Sequence, residues 1–421
     1  MRVLYTLLFY TLLPLALLRM VLRGRKAPAY RQRWDERLSR APRVAPATGV
    51  IWFHCVSVGE TLAAVPLIRA AQARWPEVPV LVTTTTPTGS ERVTASLGDS
   101  VHHVYLPFDL PGMMRRFLNR WQPRVLVVME TELWPNLIAA CHRRDIPVML
   151  ANARLSERSA RGYERVAALT RPMLGQLSLI AAQFEPDARR FVALGAPAER
   201  VKVTGSLKFD LHIDPEKAAL GRALRQQWQR PVWIAASTHE GEDQPVLESH
   251  RHLLATHPDL LLILVPRHPE RFNGVADLIQ AQGFSCARRS LGETVSPETQ
   301  VYLGDTMGEL LGLFAAADVA FVGGSLAPTG GHNPLEPLAM GVPVVMGAHV
   351  FNFQVICDAL KQEGALVTVK DGDTLAAAVE QLLTDPQARD AQVQAGQRVL
   401  AQNRGALARQ LEMLAGLMPT E

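Results

Sequence analysis

Acidic side chains follow two strand-like segments of this sequence, at the points where those segments end. Glu60 lies in VSVGE, after the apolar run VIWFHC (50–55), and Glu130 and Glu132 lie in METELWPN, after RVLVVM (124–129). A carboxylate close to an attacking hydroxyl acts as a general base, and Glu60 could supply it. The alternative for Glu60 is a helix-dipole contact in a first turn. Two carboxylates after a buried strand are costly to leave unpaired, so Glu130 and Glu132 indicate a site or a structural ion pair.

Cationic side chains could face these carboxylates or an anionic ligand. Lys208 lies in TGSLKFD, and Arg267 and His268 lie in LILVPRHPERF, just past a second apolar run and between prolines that stiffen the turn. Arg267 and His268 together offer donors for a phosphate, and a capping role is the alternative. Lys208 could meet the carboxylates or an anionic donor, and an ordinary surface lysine is its alternative.

The Gly-rich segment VGGSLAPTGGHNPLEP (322–337) predicts a nucleotide site. A strand ends at Gly323 and Gly324, and Asn333 with Pro334 is typical of a helix start, with an N-cap followed by proline. Free backbone N–H groups there would bind a phosphate. Glu336, one turn inside, would bind two ribose hydroxyls. The pattern does not say which nucleotide is bound.

Two other patterns suit metal ions poorly, and no bound metal is predicted. Asp371 and Asp373 lie in a turn before a helix, where aspartate favours turns and caps. His102 and His103 are neighbours in a strand-like run and would point to opposite faces. The four cysteines are far apart without C-x-x-C spacing, which indicates reduced thiols.

Apolar runs alternate with helical patterns along the chain, which predicts two doubly wound α/β halves built on parallel sheets. In such sheets ligands bind beyond the carboxyl ends of the strands, where the polar motifs lie. The runs of the first half are 50–55, 78–83, 101–106, 124–129, 147–152 and 177–182. Those of the second half are 232–237, 260–265, 284–289, 299–304, 319–324 and 343–347.

At 421 residues the chain is too long for one compact core. Turn formers near residues 201–216 predict the boundary between two domains. The predicted division is a membrane anchor with the start of a basic collar (1–26), a basic linker (27–49), a first domain (50–210) and a second domain (211–421). The last helices are expected to fold back over the first domain.

The N-terminal segment predicts a retained membrane anchor. Val3 to Leu22 is almost wholly apolar and has the ~20 residues needed to cross hydrocarbon, although it contains Pro14 and Arg19. No small-residue cleavage site follows it. The basic residues crowded near the N-terminus favour a cytoplasmic body and contact with anionic lipid headgroups. They are Arg19, Arg23, Arg25, Lys26, Arg31, Arg33, Arg37, Arg40 and Arg43. Aromatic interleaving typical of nucleic-acid grooves is missing, so no nucleic-acid partner is expected.

Together, HCVSVGE, METELWPN, TGSLKFD, ASTHEGE (236–242), PRHPERF, GDTMGEL (304–310) and GGHNPLEP closely resemble the 3-deoxy-D-manno-octulosonic acid (Kdo) transferases of lipopolysaccharide synthesis. The resemblance covers nearly the whole chain in order. It implies the GT-B fold, with two Rossmann-like domains that bind the acceptor and the nucleotide respectively. It also implies transfer of Kdo from the co-substrate CMP-Kdo onto lipid IV-A at the bacterial inner membrane, on its cytoplasmic side, with inversion and without metal or cofactor.

The same resemblance assigns roles to residues. It implies that Glu60 is the general base and that Glu130 and Lys208 stabilise the transition state. The implied CMP contacts are Arg267, His268, Met307, Gly308, Glu309, Asn333, Pro334, Leu335 and Glu336. Without the resemblance, residues 307–309 look like a plain helix start.

Three other functions fit parts of the sequence. A nucleotide-sugar epimerase can share the two-domain fold but needs no lipid acceptor, so the anchor and the arginine-rich collar disfavour it. Another nucleotide-sugar glycosyltransferase on the same fold is the second alternative. A membrane-tethered nucleotide-binding scaffold is the third, and it predicts that Glu60→Ala leaves function intact.

Overall fold

The computed structural model describes residues 1–25, 27–40, 49–211, 213 and 215–419. The chain forms two compact units, Met1–Asp210 with Arg404–Glu421 (unit 1) and Leu211–Asn403 (unit 2). Lys26 and Arg43 of the predicted basic collar, and residues 41–48 of the predicted linker, lie outside the described residues.

Unit 1 is built on a parallel sheet of seven strands in the order β3-β2-β1-β4-β5-β6-β7. The strands are β1 Val50–His54, β2 Val80–Thr84, β3 His102–Tyr105, β4 Pro123–Met129, β5 Val148–Ala153, β6 Leu179–Ala182 and β7 Val201–Val203. Its helices are α1 Arg2–Arg23, α2 Trp34–Arg37, α3 Val58–Arg74, α4 Pro87–Leu97, α5 Pro111–Trp121, α6 Pro135–His142, α7 Glu157–Arg165, α8 Ala167–Leu174, α9 Glu185–Ala193 and α18 Ala406–Ala415.

Both faces of this sheet are buried, as the continuous apolar runs predict. Successive side chains of a strand point to opposite faces, so Trp52 and Leu126 belong to one apolar cluster, and Ile51 and Val127 belong to another. Helices cover both clusters. Each run predicted in the first half contains a strand, whereas β7 was missed because it has three residues and two of them are exposed.

Unit 2 is built on a second parallel sheet, in the order β10-β11-β9-β8-β12-β13-β14. The strands are β8 Val232–Thr238, β9 Leu261–Pro266, β10 Cys286–Arg288, β11 Val301–Leu303, β12 Val319–Val322, β13 Val344–Met346 and β14 Leu366–Thr368. The helices are α10 Pro215–Trp228, α11 Asp243–Leu254, α12 Phe272–Ala281, α13 Leu310–Ala315, α14 Leu335–Ala339, α15 Gln354–Gln362, α16 Gly372–Thr384 and α17 Pro386–Asn403. The short strand β14 was missed, because two of its three residues are exposed.

The last helix belongs to unit 1, so the second unit ends at Asn403 and not at residue 421 as predicted. Ala406 and Leu414 of α18 are buried in the apolar cluster that contains Ile51. The carboxylate of Asp210 accepts the N–H groups of Gly405 (2.6 Å) and Leu407 (2.5 Å) at the start of the helix. The apolar side of α18 therefore completes the core of the first unit.

Helix α1 is long and apolar enough to cross a membrane, judged by length and composition. None of its residues is buried by the rest of the protein. Its contacts with the rest of unit 1 include Tyr5 Oη, which donates to Asp109 (3.0 Å), and Thr6 Oγ1, which donates to Asn136 (3.1 Å). An apolar helix left uncovered by protein is a candidate membrane anchor.

Candidate active site

Glu60 lies where the strand order of the unit 1 sheet reverses, between the adjacent strands β1 and β4. Ser57 caps helix α3, and its Oγ accepts the Glu60 N–H (3.4 Å). The carboxylate turns back toward the start of the helix. Its Oε2 accepts the Val56 N–H (2.7 Å) and its Oε1 accepts the Ser57 hydroxyl (2.8 Å). Each oxygen keeps a lone pair for a further proton.

The pKa of Glu60 suits proton transfer at neutral pH. Burial raises the pKa, the hydrogen bonds from Val56 and Ser57 oppose that effect, and the charges of Glu132 and Glu130 add to it, so that the pKa is raised to about 7. The side chain is thus fixed in orientation and can exchange a proton near neutral pH. A carboxyl group in that state both accepts and releases a proton readily.

Glu130 and Glu132 reach the same region from the end of β4. The Glu130 N–H donates to the Ala151 carbonyl (2.9 Å), and its backbone has φ of 54°. A non-glycine residue in this left-handed region costs about 1–3 kcal/mol, and such strain concentrates at functional sites. Burial and the charge of Glu130 raise the pKa of Glu132.

Lys208 lies in a single turn of 3-10 helix, Leu207–Phe209, and is half-buried. Burial lowers the pKa of its ammonium group, the charge of Glu130 opposes that effect, and the charge of Arg154 adds to it. The structure therefore brings Lys208 and Glu130 together in unit 1, as the first of the two sequence interpretations predicts. A plain surface lysine is the wrong description.

Unit 2 also has a glutamate at the point where its strand order reverses, between β8 and β12. Glu242 is fully buried, and its carboxylate accepts five backbone N–H groups. The donors are His239 (2.9 Å), Gly324 (2.6 Å), Ser325 (2.9 Å), Leu326 (2.8 Å) and Ala327 (3.2 Å). This residue fixes the loop after β12. Sequence reasoning assigned it no role.

Gly323 is required by this arrangement. A Cβ atom there would lie 3.0 Å from a carboxylate oxygen of Glu242 and 2.8 Å from the Ser237 carbonyl oxygen. Ser237 itself has φ of 58°. The Gly-rich loop is therefore close-packed against the turn that follows β8.

Three histidines and Arg267 gather beside this loop. The ring of His239 stacks on His332, with 2.8 Å between their Nε2 atoms, and meets His268 edge-on at 5.2 Å between ring centroids. Burial and the charge of Arg267 lower the pKa of His332 to about 4, so this ring is neutral at pH 7. Arg267 thus supplies the permanent positive charge of the group.

The residues from Asn333 to Glu336 form the predicted turn, and helix α14 begins at Leu335, one residue later than predicted. Asn333 Oδ1 accepts the Leu335 N–H (3.1 Å), and its Nδ2 donates to Glu336 (3.1 Å). Burial raises the pKa of Glu336, while Asn333 and the charge of Arg267 lower it. Arg267 and Glu336 are therefore neighbours.

Residues 307–309 form a separate loop after β11. Glu309 pairs with Arg289 (2.8 Å) and accepts the Thr306 hydroxyl, and the hydrogen bond from Arg289 holds its pKa below the usual range. Lys217 donates to the Gly308 carbonyl (2.9 Å), and Met307 is exposed. Within the described part of unit 2, no hydrogen bond or ion pair links Met307, Gly308 or Glu309 to the Arg267 group.

Over the described residues, no group of three or more His, Cys, Asp or Glu side chains is placed to hold a metal ion. Asp371 caps helix α16, and its side chain accepts the Thr374 N–H (2.9 Å), as its sequence position predicts.

Comparison with known proteins identifies both halves of the chain. Residues 32–211 match the family model for 3-deoxy-D-manno-octulosonic-acid transferase (kdotransferase), and residues 244–399 match the model for glycosyl transferases group 1. The chain is 49% identical over 417 residues to the 3-deoxy-D-manno-octulosonic acid transferase of Haemophilus influenzae, covering 98% of each chain. It is 40% identical over 425 residues to that of Bordetella pertussis, covering 97% of this chain and 98% of that one.

A solved structure shows the same architecture. The crystal structure of a glycosyltransferase from Rickettsia africae matches with a TM-score of 0.57 and 11% identity, over 89% of this chain and 100% of that one. At that identity the likeness concerns the fold alone. Together with the two parallel-sheet units, it confirms the expected GT-B type of fold.

Proposed function

Since the chain belongs to the family of 3-deoxy-D-manno-octulosonic acid transferases, we propose that it transfers Kdo from CMP-Kdo to a hydroxyl group of lipid IV-A, with inversion at the anomeric carbon. Its similarity to transferases over almost its full length gives the epimerase alternative no support. The observation that carries the proposed chemistry is Glu60, a buried and oriented carboxyl group whose pKa is about 7.

In the proposed reaction Glu60 removes the proton of the acceptor hydroxyl as its oxygen attacks the anomeric carbon of Kdo. The bond between that carbon and the CMP phosphate oxygen breaks, and CMP leaves with the electron pair. A single displacement inverts the configuration and needs one base. The hydrogen bonds from Val56 and Ser57 hold the carboxylate still during this transfer.

Glu130 and Lys208 have complementary parts in the proposal. The Lys208 ammonium offsets negative charge in the transition state, and the neighbouring Glu130 carboxylate favours the protonated form of Lys208. The strained backbone of Glu130 is consistent with a position selected for function.

We assign the nucleotide to unit 2. Arg267 and His268 bind the phosphate, and Asn333, Pro334, Leu335 and Glu336 bind the nucleoside, with Glu336 toward the ribose hydroxyls. Met307, Gly308 and Glu309 complete the CMP contacts. Arg267 brings a permanent positive charge to the CMP phosphate, whose own negative charge is small. The assignment therefore needs no metal and no further cofactor.

The uncovered apolar helix α1 supports a place at the bacterial inner membrane, with the two units on the cytoplasmic side. In this arrangement the basic residues that follow α1 contact anionic lipid headgroups. The anchor then keeps the enzyme on the surface that holds its lipid acceptor.

The detergent-solubilised protein, incubated with lipid IV-A and CMP-Kdo in the presence of a chelator, tests the donor, the acceptor and metal independence together. We expect glycolipid products heavier by one or more Kdo units in the mass spectrum. Unchanged lipid in the chelator, with products once a divalent metal is added back, would contradict the metal-free assignment. Unchanged lipid in both conditions would contradict the donor or the acceptor.

A further inference from the structure

Helix α7 presents three arginines on one side. Arg158, Arg161 and Arg165 are spaced by three and four residues, so their side chains lie along the same side of the helix. All three are exposed. With Glu157 and Gly162 they line a shallow depression of about 500 Å³. We call these three residues the arginine face.

The opposite side of α7 is fixed to the turn that carries the candidate catalytic carboxylates. Tyr163 packs on the apolar cluster that contains Trp52, and its hydroxyl donates to the Thr131 carbonyl (3.2 Å). Thr131 stands between Glu130 and Glu132 in the sequence, and the charge of Glu132 adds to burial in raising the pKa of Tyr163. The arginine face is therefore held on a fixed helix beside the reaction site of unit 1.

The positive charge of the arginine face is only partly neutralised. Arg161 pairs with Glu157 at 2.5 Å, but both side chains are about 70% exposed, and such pairs contribute little stability. Over the part of the chain that the structure describes, the guanidinium groups of Arg158 and Arg165 form no ion pair and donate no hydrogen bond. Guanidinium groups bind phosphate through paired, charge-assisted hydrogen bonds. Two unengaged guanidinium groups around one depression suit a doubly charged phosphate.

We propose that the arginine face binds a phosphomonoester on the sugar part of the lipid acceptor and so places the acceptor hydroxyl near Glu60. This inference rests on the proposed function, because it takes the acceptor to be a phosphorylated glucosamine disaccharide lipid. A phosphomonoester carries close to two negative charges at pH 7, whereas the phosphodiester of a bulk phospholipid carries one. The hydrogen bond from α7 to the turn that carries the carboxylates favours the acceptor over the bulk membrane.

The test compares R158A/R165A with R222A/R398A, which removes the same charge from exposed positions of unit 2. Transfer rates are measured with lipid IV-A and with lipid IV-A whose phosphates have been removed by a phosphatase. We expect R158A/R165A to raise KM for the phosphorylated acceptor by roughly ten- to hundred-fold, leaving KM for CMP-Kdo unchanged. R158A/R165A should have the same KM for the two acceptors, and the control R222A/R398A should behave like the unmodified protein.

A second variant guards against a folding defect. R158K/R165K keeps the charge but loses the planar fork, and we expect a KM between those of the unmodified protein and R158A/R165A. An unchanged acceptor KM in both variants would overturn the inference. The inference would also be overturned if R158A/R165A raised KM equally for both acceptors and sedimented less with phosphatidylglycerol vesicles. That result would assign the arginine face to bulk lipid. If the unmodified protein transfers Kdo to both acceptors with the same KM, only this inference fails. If it transfers to neither, the proposed function fails with it.

Discussion

The two units place a glutamate at equivalent points of their sheets, after the first strand at the reversal of strand order, and use it in opposite ways. Glu60 in unit 1 accepts two hydrogen bonds, and its pKa is raised to about 7. Glu242 in unit 2 accepts five backbone N–H groups and is fully buried. The number of donors around each carboxylate decides its use. A carboxylate with few donors is available for protons, whereas one saturated by backbone N–H groups serves as a structural anion.

The same contrast extends to the neighbours of each glutamate. In unit 1 the nearby charges are two more carboxylates, whose repulsion disfavours ionisation of Glu60. In unit 2 the groups beside the Glu242 loop are Arg267 and a neutral His332. The surroundings of Glu60 in unit 1 therefore favour proton transfer, and those of the Glu242 loop in unit 2 favour the binding of an anion.

The largest effect is expected from Glu60→Gln, which should impair the chemistry assigned to unit 1 and leave the nucleotide binding assigned to unit 2 unchanged. The amide keeps the shape and can satisfy Val56 and Ser57, but it cannot accept a proton, so kcat should fall by about 10²–10⁴-fold. Titration calorimetry with CMP should show an unchanged Kd, because the nucleotide is assigned to unit 2. E77Q, an exposed position of unit 1, is the control. Full activity of E60Q would show that Glu60 is not the general base.

Glu242→Gln should give the reverse pattern. The amide NH₂ group would face backbone N–H donors, so we expect unfolding to be easier by about 2–4 kcal/mol and KM for CMP-Kdo to rise at least about tenfold. Thermal unfolding and initial rates measure the two effects. E240Q, an exposed glutamate two residues away, is the matched control. A large fall in kcat with an unchanged KM would mean that Glu242 takes part in the reaction. The contrast between a catalytic Glu60 and a structural Glu242 would then be wrong.

The pH dependence of Kdo transfer should reflect the protonation of Glu60 in unit 1. Because burial and the neighbouring charges raise the pKa of Glu60 to about 7, the base is lost by protonation below that pH. We expect kcat/KM to fall about tenfold per pH unit below pH 7. His332 remains neutral over this range, since burial and Arg267 lower its pKa to about 4. A profile flat from pH 5 to 8 would contradict this assignment.

The smallest expected effect is a change in the free energy of unfolding with pH. The pKa of Glu60 rises from 4.5 when unfolded to about 7 when folded, so the unfolded state loses its proton first as pH rises. The native protein is therefore destabilised progressively between pH 4.5 and 7, and Glu60→Gln should remove that penalty. We expect E60Q to be more stable than the unmodified protein by about 1–3 kcal/mol at pH 8 and no more stable at pH 4. Thermal unfolding at the two pH values measures this difference, and a lower stability of E60Q at pH 8 would contradict it.

Much of the architecture could be predicted from the sequence, because buried parallel strands have continuous apolar runs. The edge strands β7 and β14 lack that signal, since each has three residues and two of them are exposed. The sequence predicts that the last helices fold back over the first domain, and α18 does pack there, although the predicted second domain ran to residue 421. An apolar helix face shows that a partner exists but does not fix the residue at which one unit ends.

The candidate site was predictable only where a motif follows a strand. Glu60 and Glu130 were found by that rule, and their closeness follows from the adjacency of β1 and β4. The role of Glu242 was not found, because it depends on hydrogen bonds from N–H groups 82 to 85 residues away. Such long-range hydrogen bonds produce no periodic pattern in the sequence.

The return of residues 404–421 to unit 1 has a consequence for biosynthesis. Unit 2 is one uninterrupted stretch of chain, whereas the core of unit 1 lacks Ala406 and Leu414 until all of unit 2 has been synthesised. Domains usually mature in the order of synthesis, but here the earlier unit is the later one to be completed. During that interval the sheet face near Ile51 is not covered by α18, and exposed apolar surface of this kind favours aggregation.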